Sequence, residues 1–456
     1  MKTINLNGFI YEEEDAIDKR LSLVKAPDLE EIIIEREIEN IQENAFSKNT
    51  KSIRFKRSIT GFIQENAFKD LDLDVLEFSA EIYGIEEGAF YNCKVKKFIH
   101  TNALIEDIYR DIFSDLTIDT CVVNNYLHES IRCKNFAVSE TNDKFSVENG
   151  ILYSRSKQEL IRYPVLKEEK DLYIKNVEIC PSAFCGANLD NLILEYENVD
   201  KKSTKRINIW ELAFGESNIK NLKINNYDLD DYLFFNANIE NLSLNKVKYI
   251  TPLTFTKSNI KNIEVTNCDD VLRYENDILH YAPYYDGGKR CGDAIVKVFK
   301  DLDKLITIKE QVIYDDAFKD IHIDALYLSK FCKSEGSIFR NSDITNLFLF
   351  DSLKISPRQS PLNDIKNLKT IYFETEDTFA RFGFDNTGKL LNNVLSDKLI
   401  IVEKLNRKSG CFDWAKSENI NIINKKLEDI DVTDFNSFKE FNKFAKIKLN
   451  KDELEP

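Results

Sequence analysis

The sequence predicts a solenoid of the α/β type, with a curved parallel β-sheet on its concave face, short helical turns on its convex side, two inserted β-hairpins and a cap at each end. Three observations lead to this fold class. A strand motif, Ile219-Lys-Asn-Leu222-Lys-Ile224, returns after 20 and then 21 residues, starting at Ile239 and Ile260. A turn motif that ends in Ala-Phe begins at positions 41, 63 and 85. Two stretches, near 145–164 and 274–299, interrupt the period.

The strand motif is apolar at its first, fourth and sixth positions. The fourth and sixth positions lie on one face of a β-strand, because side chains alternate between the two faces. A coil of about 20 residues cannot bury that face by itself, so it must stack on neighbouring coils into a continuous core. We therefore expect successive strands to pair in parallel, with positions three, five and seven of the motif pointing outward.

The turn motif reads IQENAF at 41–46 and 63–68 and IEEGAF at 85–90, and weaker copies continue along the chain. Its isoleucine and its Ala-Phe pair, four residues apart, suit one helical turn. The alanine allows close packing, and the phenylalanine fills the gap between coils. Each coil is thus predicted to contain a strand, a bend and a short helical turn.

The chain is predicted to form one elongated domain, because a solenoid grows in one dimension. We assign 1–28 to an N-terminal cap, 29–425 to the solenoid and 426–456 to a C-terminal tail. The tail carries a phenylalanine every three residues from Phe435 to Phe444. This stripe suits a helix that caps the core or a helix that docks on another protein, and both alternatives are open.

Each of the two interruptions is interpreted as a β-hairpin inserted between coils. In the first, 145–164, two strands flank the polar turn Ser154-Arg-Ser-Lys157, and in the second, 274–299, two strands flank Asp286-Gly-Gly-Lys289. Polar residues and glycines at these turns are typical of hairpin connections.

Composition excludes several classes of partner and compartment. The formal net charge of −15 disfavours nucleic acid or an anionic membrane surface as the main partner, since both require a basic footprint. Nine cysteines without a CxxC pair indicate buried thiols in a reducing compartment rather than a zinc site or a disulfide framework. The N-terminus lacks the apolar segment of a signal peptide, and the chain has no run of about 18 apolar residues. A cytoplasmic protein is the expectation.

The sequence offers no catalytic motif. The histidines His100, His128, His280 and His322 lie in unrelated coils, without an HExxH or HxH pattern. His100 occupies the sixth, inward position of its strand, so packing is its expected role. No G-x-S-x-G, G-x-G-x-x-G or Walker A motif occurs. We therefore predict no catalytic residues, no metal, no cofactor and no enzyme activity.

The strand motif, the Ala-Phe turns, AFYNC at 89–93 and ENGILY at 148–153 together resemble the BspA-like, or type 5, leucine-rich repeat proteins. The resemblance covers roughly residues 25–425. It implies a concave parallel sheet with short helical turns or extended segments on the convex side. It also implies a binding protein, since family members characterised as a group are mostly surface or secreted binding proteins.

Asparagine recurs at the outward third position of five strands. The residues are Asn191, Asn221, Asn241, Asn262 and Asn346. Stacked amides satisfy each other's hydrogen bonds from coil to coil, which makes a structural ladder the favoured interpretation. A polar recognition stripe is the alternative.

Outward positions become aromatic on three consecutive strands towards the C-terminus. The residues are Tyr327, Phe348, Phe350 and Tyr372. Large apolar side chains that face solvent usually mark a partner site, so these four are our candidate partner-binding residues. The equally weighted alternative is that 351–365 or the C-terminal tail folds over them.

The predicted function is a non-enzymatic scaffold that binds another protein through its repeat surface, with the two hairpins as additional contact arms. Two alternatives are a surface or secreted adhesin that interacts with a host, and an inhibitor or regulatory subunit of a neighbouring enzyme or toxin. The partner's identity does not follow from the sequence, while nucleic acid and membrane insertion are not expected.

Overall fold

A computed structural model describes residues 2–13, 20–100, 113, 115–125, 127–197, 207–268, 271–286, 289–308, 312–314, 316–328, 333–334, 338–349, 361–375, 377, 379, 399–404, 421–424 and 426. The chain divides into two compact units. The first consists of Met1–Leu222 with Asn236–Ile239, and the second of Lys223–Phe235 with Glu240–Pro456. Short parallel strands dominate both units.

In the described residues, strands that pair in parallel lie roughly one sequence repeat apart, as β4 and β5 do where Ile32 pairs with Ile53. The first eleven are β1 (Lys2–Leu6), β2 (Phe9–Glu13), β3 (Leu21–Lys25), β4 (Glu31–Ile34), β5 (Ser52–Phe55), β6 (Ile59–Ile63), β7 (Asp72–Phe78), β8 (Ile82–Ile85), β9 (Cys93–His100), β10 (Leu116–Val123) and β11 (Cys133–Ala137). The next eleven are β12 (Phe145–Glu148), β13 (Ile151–Ser154), β14 (Glu159–Arg162), β15 (Asp171–Lys175), β16 (Glu178–Ile179), β17 (Asn188–Glu195), β18 (Asn208–Ile209), β19 (Asn218–Asn225), β20 (Asp228–Leu229), β21 (Asn238–Asn245) and β22 (Asn259–Thr266).

The remaining twelve strands are β23 (Leu272–Glu275), β24 (Ile278–Asp286), β25 (Lys289–Val298), β26 (Leu302–Ile308), β27 (Val312–Ile313), β28 (His322–Leu328), β29 (Lys333–Ser334), β30 (Ser342–Leu349), β31 (Ile365–Lys366), β32 (Thr370–Thr375), β33 (Leu399–Lys404) and β34 (Asn421–Asn424). In the part of the chain that the structure describes, two short 3₁₀ helices lie at Pro252–Phe255 and Pro361–Asp364.

The first unit contains a six-stranded parallel sheet in the order β11-β10-β9-β7-β5-β4. The strand register aligns one buried residue from each strand across the sheet. These residues are Ile32, Ile53, Leu76, Phe98, Cys121 and Phe136. The predicted parallel stacking of coils is therefore confirmed. Before this sheet, β1, β2 and β3 pair antiparallel and form the N-terminal end of the unit.

The phenylalanines of the turn motif form a column inside the first unit. The ring centroids of Phe46 and Phe68 lie 5.0 Å apart, and those of Phe68 and Phe90 lie 5.0 Å apart, both in stacked geometry. Their neighbours Ala45, Ala67 and Ala89 are buried. Stacked aromatic rings add to the hydrophobic gain of burial, so this column stabilises the contact between successive coils.

The expected helical turns are not found on the convex side of the described residues, apart from the two short 3₁₀ helices. In the turn at 64–71, the N–H groups of Ala67 and Lys69 bond to carbonyls three residues earlier, whereas those of Asn66, Phe68 and Asp70 donate to carbonyls of the next coil, at 2.9–3.2 Å for all three. Asn66 and Asp70 also have positive φ, of 59° and 56°. In this turn, left-handed residues four positions apart interrupt the right-handed backbone that a helix requires. The next coil supplies the hydrogen bonds that a helix would have made internally.

Antiparallel pairing occurs at the two interruptions of the period. In the first, β12 pairs with β13 and β13 with β14. In the second, β23 pairs with β24 and β24 with β25. Each segment thus has three strands, whereas sequence analysis identified two. The third strand re-enters the solenoid, because β14 pairs in parallel with β16 and β25 with β27.

The second unit contains a parallel sheet in the order β26-β28-β30-β32-β33-β34. Its core repeats the packing of the first unit, with the rings of Phe318 and Phe339 5.9 Å apart. Apart from Lys426, the predicted C-terminal tail lies outside the described residues.

Candidate functional site

Side chains on the outward face of the first unit's sheet form rows across the coils. In one row, strand register aligns Ile33, Arg54, Glu77, Ile99 and Val122. All five retain some exposure to solvent. The face is therefore open to a partner over several consecutive coils.

Charges on this face are paired from coil to coil. Arg54 contacts Glu31 of the preceding coil, and its Nε lies 3.3 Å from Glu77 Oε2 of the next. Lys96 Nζ lies 2.6 Å from Asp74 Oδ1, and its hydrogen bond holds the pKa of Asp74 below its usual value. Exposed pairs such as these contribute little stability, typically about 0–1 kcal/mol.

Four of the five asparagines singled out in the sequence pair across neighbouring coils. Within the first unit, Asn221 Nδ2 donates to Asn191 Oδ1 at 2.8 Å. Within the second, Asn262 Nδ2 donates to Asn241 Oδ1 at 3.0 Å, and Asn346 Nδ2 donates to the Asp324 carbonyl at 3.0 Å. The pairs 191–221 and 241–262 thus join amides of neighbouring coils, whereas Asn346, which was expected to point outward, is 3% exposed and bonds to the main chain.

Sequence analysis missed further asparagine ladders. Asn238 Nδ2 donates to Asn218 Oδ1 at 3.0 Å in the first unit, and Asn245 Nδ2 donates to Asn225 Oδ1 at 2.9 Å in the second. The signal was present, since these asparagines recur at the same 20-residue interval as the strand motif. They lie just before and just after the buried positions, where a strand begins and ends.

The predicted aromatic row is brought together, and most of it is buried. Phe348 is 0% and Tyr372 is 1% exposed, and Tyr327 is half-buried. The ring of Phe348 lies 6.4 Å from that of Tyr327 and 5.8 Å from that of Tyr372. Phe350 lies outside the described residues. Phe348 and Tyr372 are therefore not accessible to a partner in this structure.

The hydroxyl of Tyr372 also forms a hydrogen bond. Its Oη donates to Glu403 Oε2 of the adjacent strand β33 at 2.5 Å. Burial, and then this hydrogen bond, raise the pKa of Tyr372 far above its usual value. A buried hydroxyl that is hydrogen-bonded to a neighbouring strand is typical of a structural position.

An exposed aromatic residue that sequence analysis missed lies on the outward face of β15. Tyr173 is 53% exposed. Its hydroxyl donates to Glu195 Oε2 on β17 at 2.5 Å, which fixes the ring against the sheet. Strand register places Ile193 beside Tyr173 and Lys175 beside Glu195. The site combines a held aromatic ring, an apolar neighbour and charges of both signs.

Polar groups surround Tyr173 on both strands. Asn191 Nδ2 donates to Asp171 Oδ1 at 2.5 Å on one side, and Lys175 Nζ lies 2.8 Å from Glu197 Oε2 on the other. An aromatic anchor within a polar rim is the usual anatomy of a protein-interaction site. The outward position of Tyr173 can be predicted from the sequence DLYIK, because Tyr173 lies between the inward residues Leu172 and Ile174. The sequence does not show that the ring stays exposed.

The histidines and cysteines lie in structural surroundings. His100 is buried as expected, and burial, then the charge of His128, lower its pKa to about 4. His322 lies between two aspartates: its Nδ1 is 3.2 Å from Asp343 Oδ2 and its Nε2 is 3.4 Å from Asp324 Oδ1. Partial burial lowers the pKa of His322, and the hydrogen bonds and charges of these aspartates outweigh it and raise the pKa.

The buried thiols of Cys93 and Cys133 are poor nucleophiles. Burial raises the pKa of Cys93 to about 12 and that of Cys133 to about 12, so neither thiol forms a thiolate readily. Within the described ranges, no group of three His, Cys, Asp or Glu side chains converges to hold a metal ion. The described part of the chain also contains no helix that is both long and apolar enough to cross a membrane.

The comparison with a protein-family model agrees with the repeat pattern. The sequence model of the BspA type leucine rich repeat region matches in six copies, over residues 22–147 and 177–274. No curated protein matches the chain. The crystal structure of the pneumococcal vaccine antigen PcpA aligns at 12% identity over 93% of this chain and 99% of its own, with a TM-score of 0.25. A leucine-rich repeat protein from Eubacterium ventriosum aligns at 13% identity over 92% and 95%, with a TM-score of 0.30.

Proposed function

This chain belongs to the BspA-type leucine-rich repeat family, and on that premise we propose that it is a protein-interaction scaffold whose partner docks on the outward face of β15 and β17. The observation that carries the proposal is the exposure of Tyr173, a large ring at the centre of this face. Tyrosine is enriched at interaction hot spots because it offers apolar area and a polar group at low conformational cost.

The proposal assigns the partner surface to the first unit rather than to the aromatic row around Phe348. A residue that contacts a partner must be accessible, and Phe348 and Tyr372 are buried. Tyr173, by contrast, pays little entropy on binding, since its hydroxyl is already held by Glu195. A repeat surface of this kind recognises a protein through shape and rows of side chains, without catalytic geometry.

The experiment compares Tyr173→Ser with Tyr91→Ser. Tyr91 is the matched control, because it is 54% exposed and lies in a turn rather than on the sheet. Affinity capture from lysate or culture medium of the source organism, read by mass spectrometry, identifies partners. Calorimetry with the purified partner then measures affinity for each variant. We expect Tyr173→Ser to weaken binding at least tenfold, and Tyr91→Ser to change it less than twofold.

A third variant tests what the ring contributes. Tyr173→Phe keeps the ring and removes the bond to Glu195. We expect an intermediate loss, because the ring remains but is no longer fixed. Equal binding by all three variants would place the partner surface elsewhere on the chain.

A further inference from the structure

The strand β4 ends the six-stranded parallel sheet of the first unit. On one side it pairs with β5, with Ile32 beside Ile53 and Ile34 beside Phe55. Among the residues that the structure describes, no strand pairs with the other side of β4. The antiparallel strands β1, β2 and β3 do not close this edge: β3 continues a different row, through the bridge between Leu23 and Ile41.

Backbone groups of β4 alternate between the two sides. The carbonyls of Glu30 and Ile34 accept hydrogen bonds from the next coil, from Ser52 N at 2.9 Å and Lys56 N at 2.9 Å. Because successive residues of a strand point their N–H and C=O groups in opposite directions, those of Ile33 face the open edge. An edge of this kind can pair with an added strand.

Side chains at this edge are apolar and acidic. Leu29 is 56% and Ile33 is 43% exposed, and the two rank among the chain's large exposed apolar residues. The segment 28–37 contains one basic residue, Arg36, whose guanidinium lies over the ring of Tyr11 at 5.3 Å. Its five acidic residues are Asp28, Glu30, Glu31, Glu35 and Glu37.

We propose that the open edge of β4 accepts an extended segment of a partner protein that carries basic residues at alternate positions around an apolar one. Glu31 and Ile33 alternate along β4, and Glu35 follows the strand at the next alternate position. An added strand would place an apolar side chain beside Ile33 and basic side chains beside Glu35 and beside Glu31, which also contacts Arg54 of the next coil. Main-chain bonds at Ile33 would supply affinity, and the alternate side chains would supply specificity.

A second copy of β4 is a poor occupant of the same edge. Antiparallel pairing centred on Ile33 would place Glu31 beside Glu35 of the other copy. Like charges directly opposite one another destabilise a strand pair. The acidic flanks therefore disfavour self-association and favour a basic partner. This surface goes beyond the proposed site at Tyr173, which lies on other strands.

The test uses the full chain and a fluorescein-labelled peptide, Thr-Lys-Thr-Ile-Thr-Lys-Thr. The control peptide has glutamate in place of each lysine. Fluorescence anisotropy measures affinity, and amide hydrogen exchange locates the bound strand. We expect the basic peptide to bind at least tenfold more tightly than the control and to slow exchange at residue 33. Binding should weaken as salt concentration rises.

Pairs of variants separate the contribution of the backbone N–H to peptide binding from that of the side chains. Ile33→Pro removes the N–H that faces the open edge while leaving the bonds of Glu30 and Ile34 to the next coil, and we expect at least tenfold weaker binding. Ile33→Thr keeps the N–H, and we expect a loss of threefold or less. Glu35→Lys should weaken binding, whereas Glu87→Lys, with the same change of net charge in a turn, should not.

Three results would overturn the proposed pairing of a partner strand with β4. Unchanged peptide binding by Ile33→Pro, or protection of amides away from 31–35, would overturn it. So would self-association of the wild type that Ile33→Pro abolishes, since a second copy would then be the occupant. Tyr173→Ser should leave peptide binding unchanged, so failure at this edge is distinguishable from failure at the proposed partner site.

Discussion

Replacing Phe348 by alanine should destabilise the second unit by about 4 kcal/mol. The side chain is 0% exposed and lies between the rings of Tyr327 and Tyr372, at 6.4 and 5.8 Å. A buried phenylalanine removes roughly 150–250 Å² from water, which at about 25 cal/mol per Å² corresponds to about 4–6 kcal/mol. Loss of the two ring contacts adds to this, while partial collapse of the cavity reduces it.

Native-state hydrogen exchange of the β28, β30 and β32 amides is the suitable assay, because a chain with two units need not unfold in one step. We expect their opening free energy to fall by several kcal/mol in Phe348→Ala. Tyr173→Ala is the control, since an exposed side chain on the outward face should cost less than about 1 kcal/mol. A change of under about 1 kcal/mol in Phe348→Ala, combined with loss of partner binding, would refute the structural assignment and restore the aromatic row as a partner site.

Three further predictions concern single residues. In the folded protein the pKa of His100 is lowered to about 4, below the unfolded value of about 6.5. The free energy of unfolding is therefore highest above pH 6.5 and should fall by up to about 3 kcal/mol as the pH drops through 4. His100→Phe should abolish this pH dependence in acid titrations of unfolding. Burial, and then the charge of Lys319, lower the pKa of Lys297 to about 8. The free energy of unfolding should therefore increase between pH 8 and 10. Lys297→Met should remove that increase in denaturant titrations. Leu212 has φ of 55°, so Leu212→Asn should stabilise the first unit by about 1 kcal/mol in urea unfolding, whereas Thr117→Asn in a strand should not.

The strands and the phenylalanine column were predictable because the repeat is regular. Apolar residues at fixed spacing must share a face, and a single coil cannot bury that face, so parallel stacking follows from the sequence. The same spacing placed His100 inside the core and the asparagines of 191, 221, 241 and 262 in ladders. These features depend on positions that recur at the repeat interval.

The turns were not predictable from local pattern. IQENAF suits a helical turn, but the N–H groups of Asn66, Phe68 and Asp70 bond to the next coil instead. Each coil gains these bonds only once its neighbour is in place. Sequence signals of local structure omit that gain, because the donor and the acceptor lie about one repeat apart in the chain.

The sequence by itself determined which side chains point out of the sheet: Tyr173, Tyr327, Phe348 and Tyr372 all occupy outward positions. Only the tertiary structure decided which of them meets solvent, leaving Tyr173 exposed and burying Phe348 and Tyr372. Strand periodicity sets the direction of a side chain through local geometry. Burial on the outward face depends on contacts between residues that are distant in sequence, and no local pattern records them.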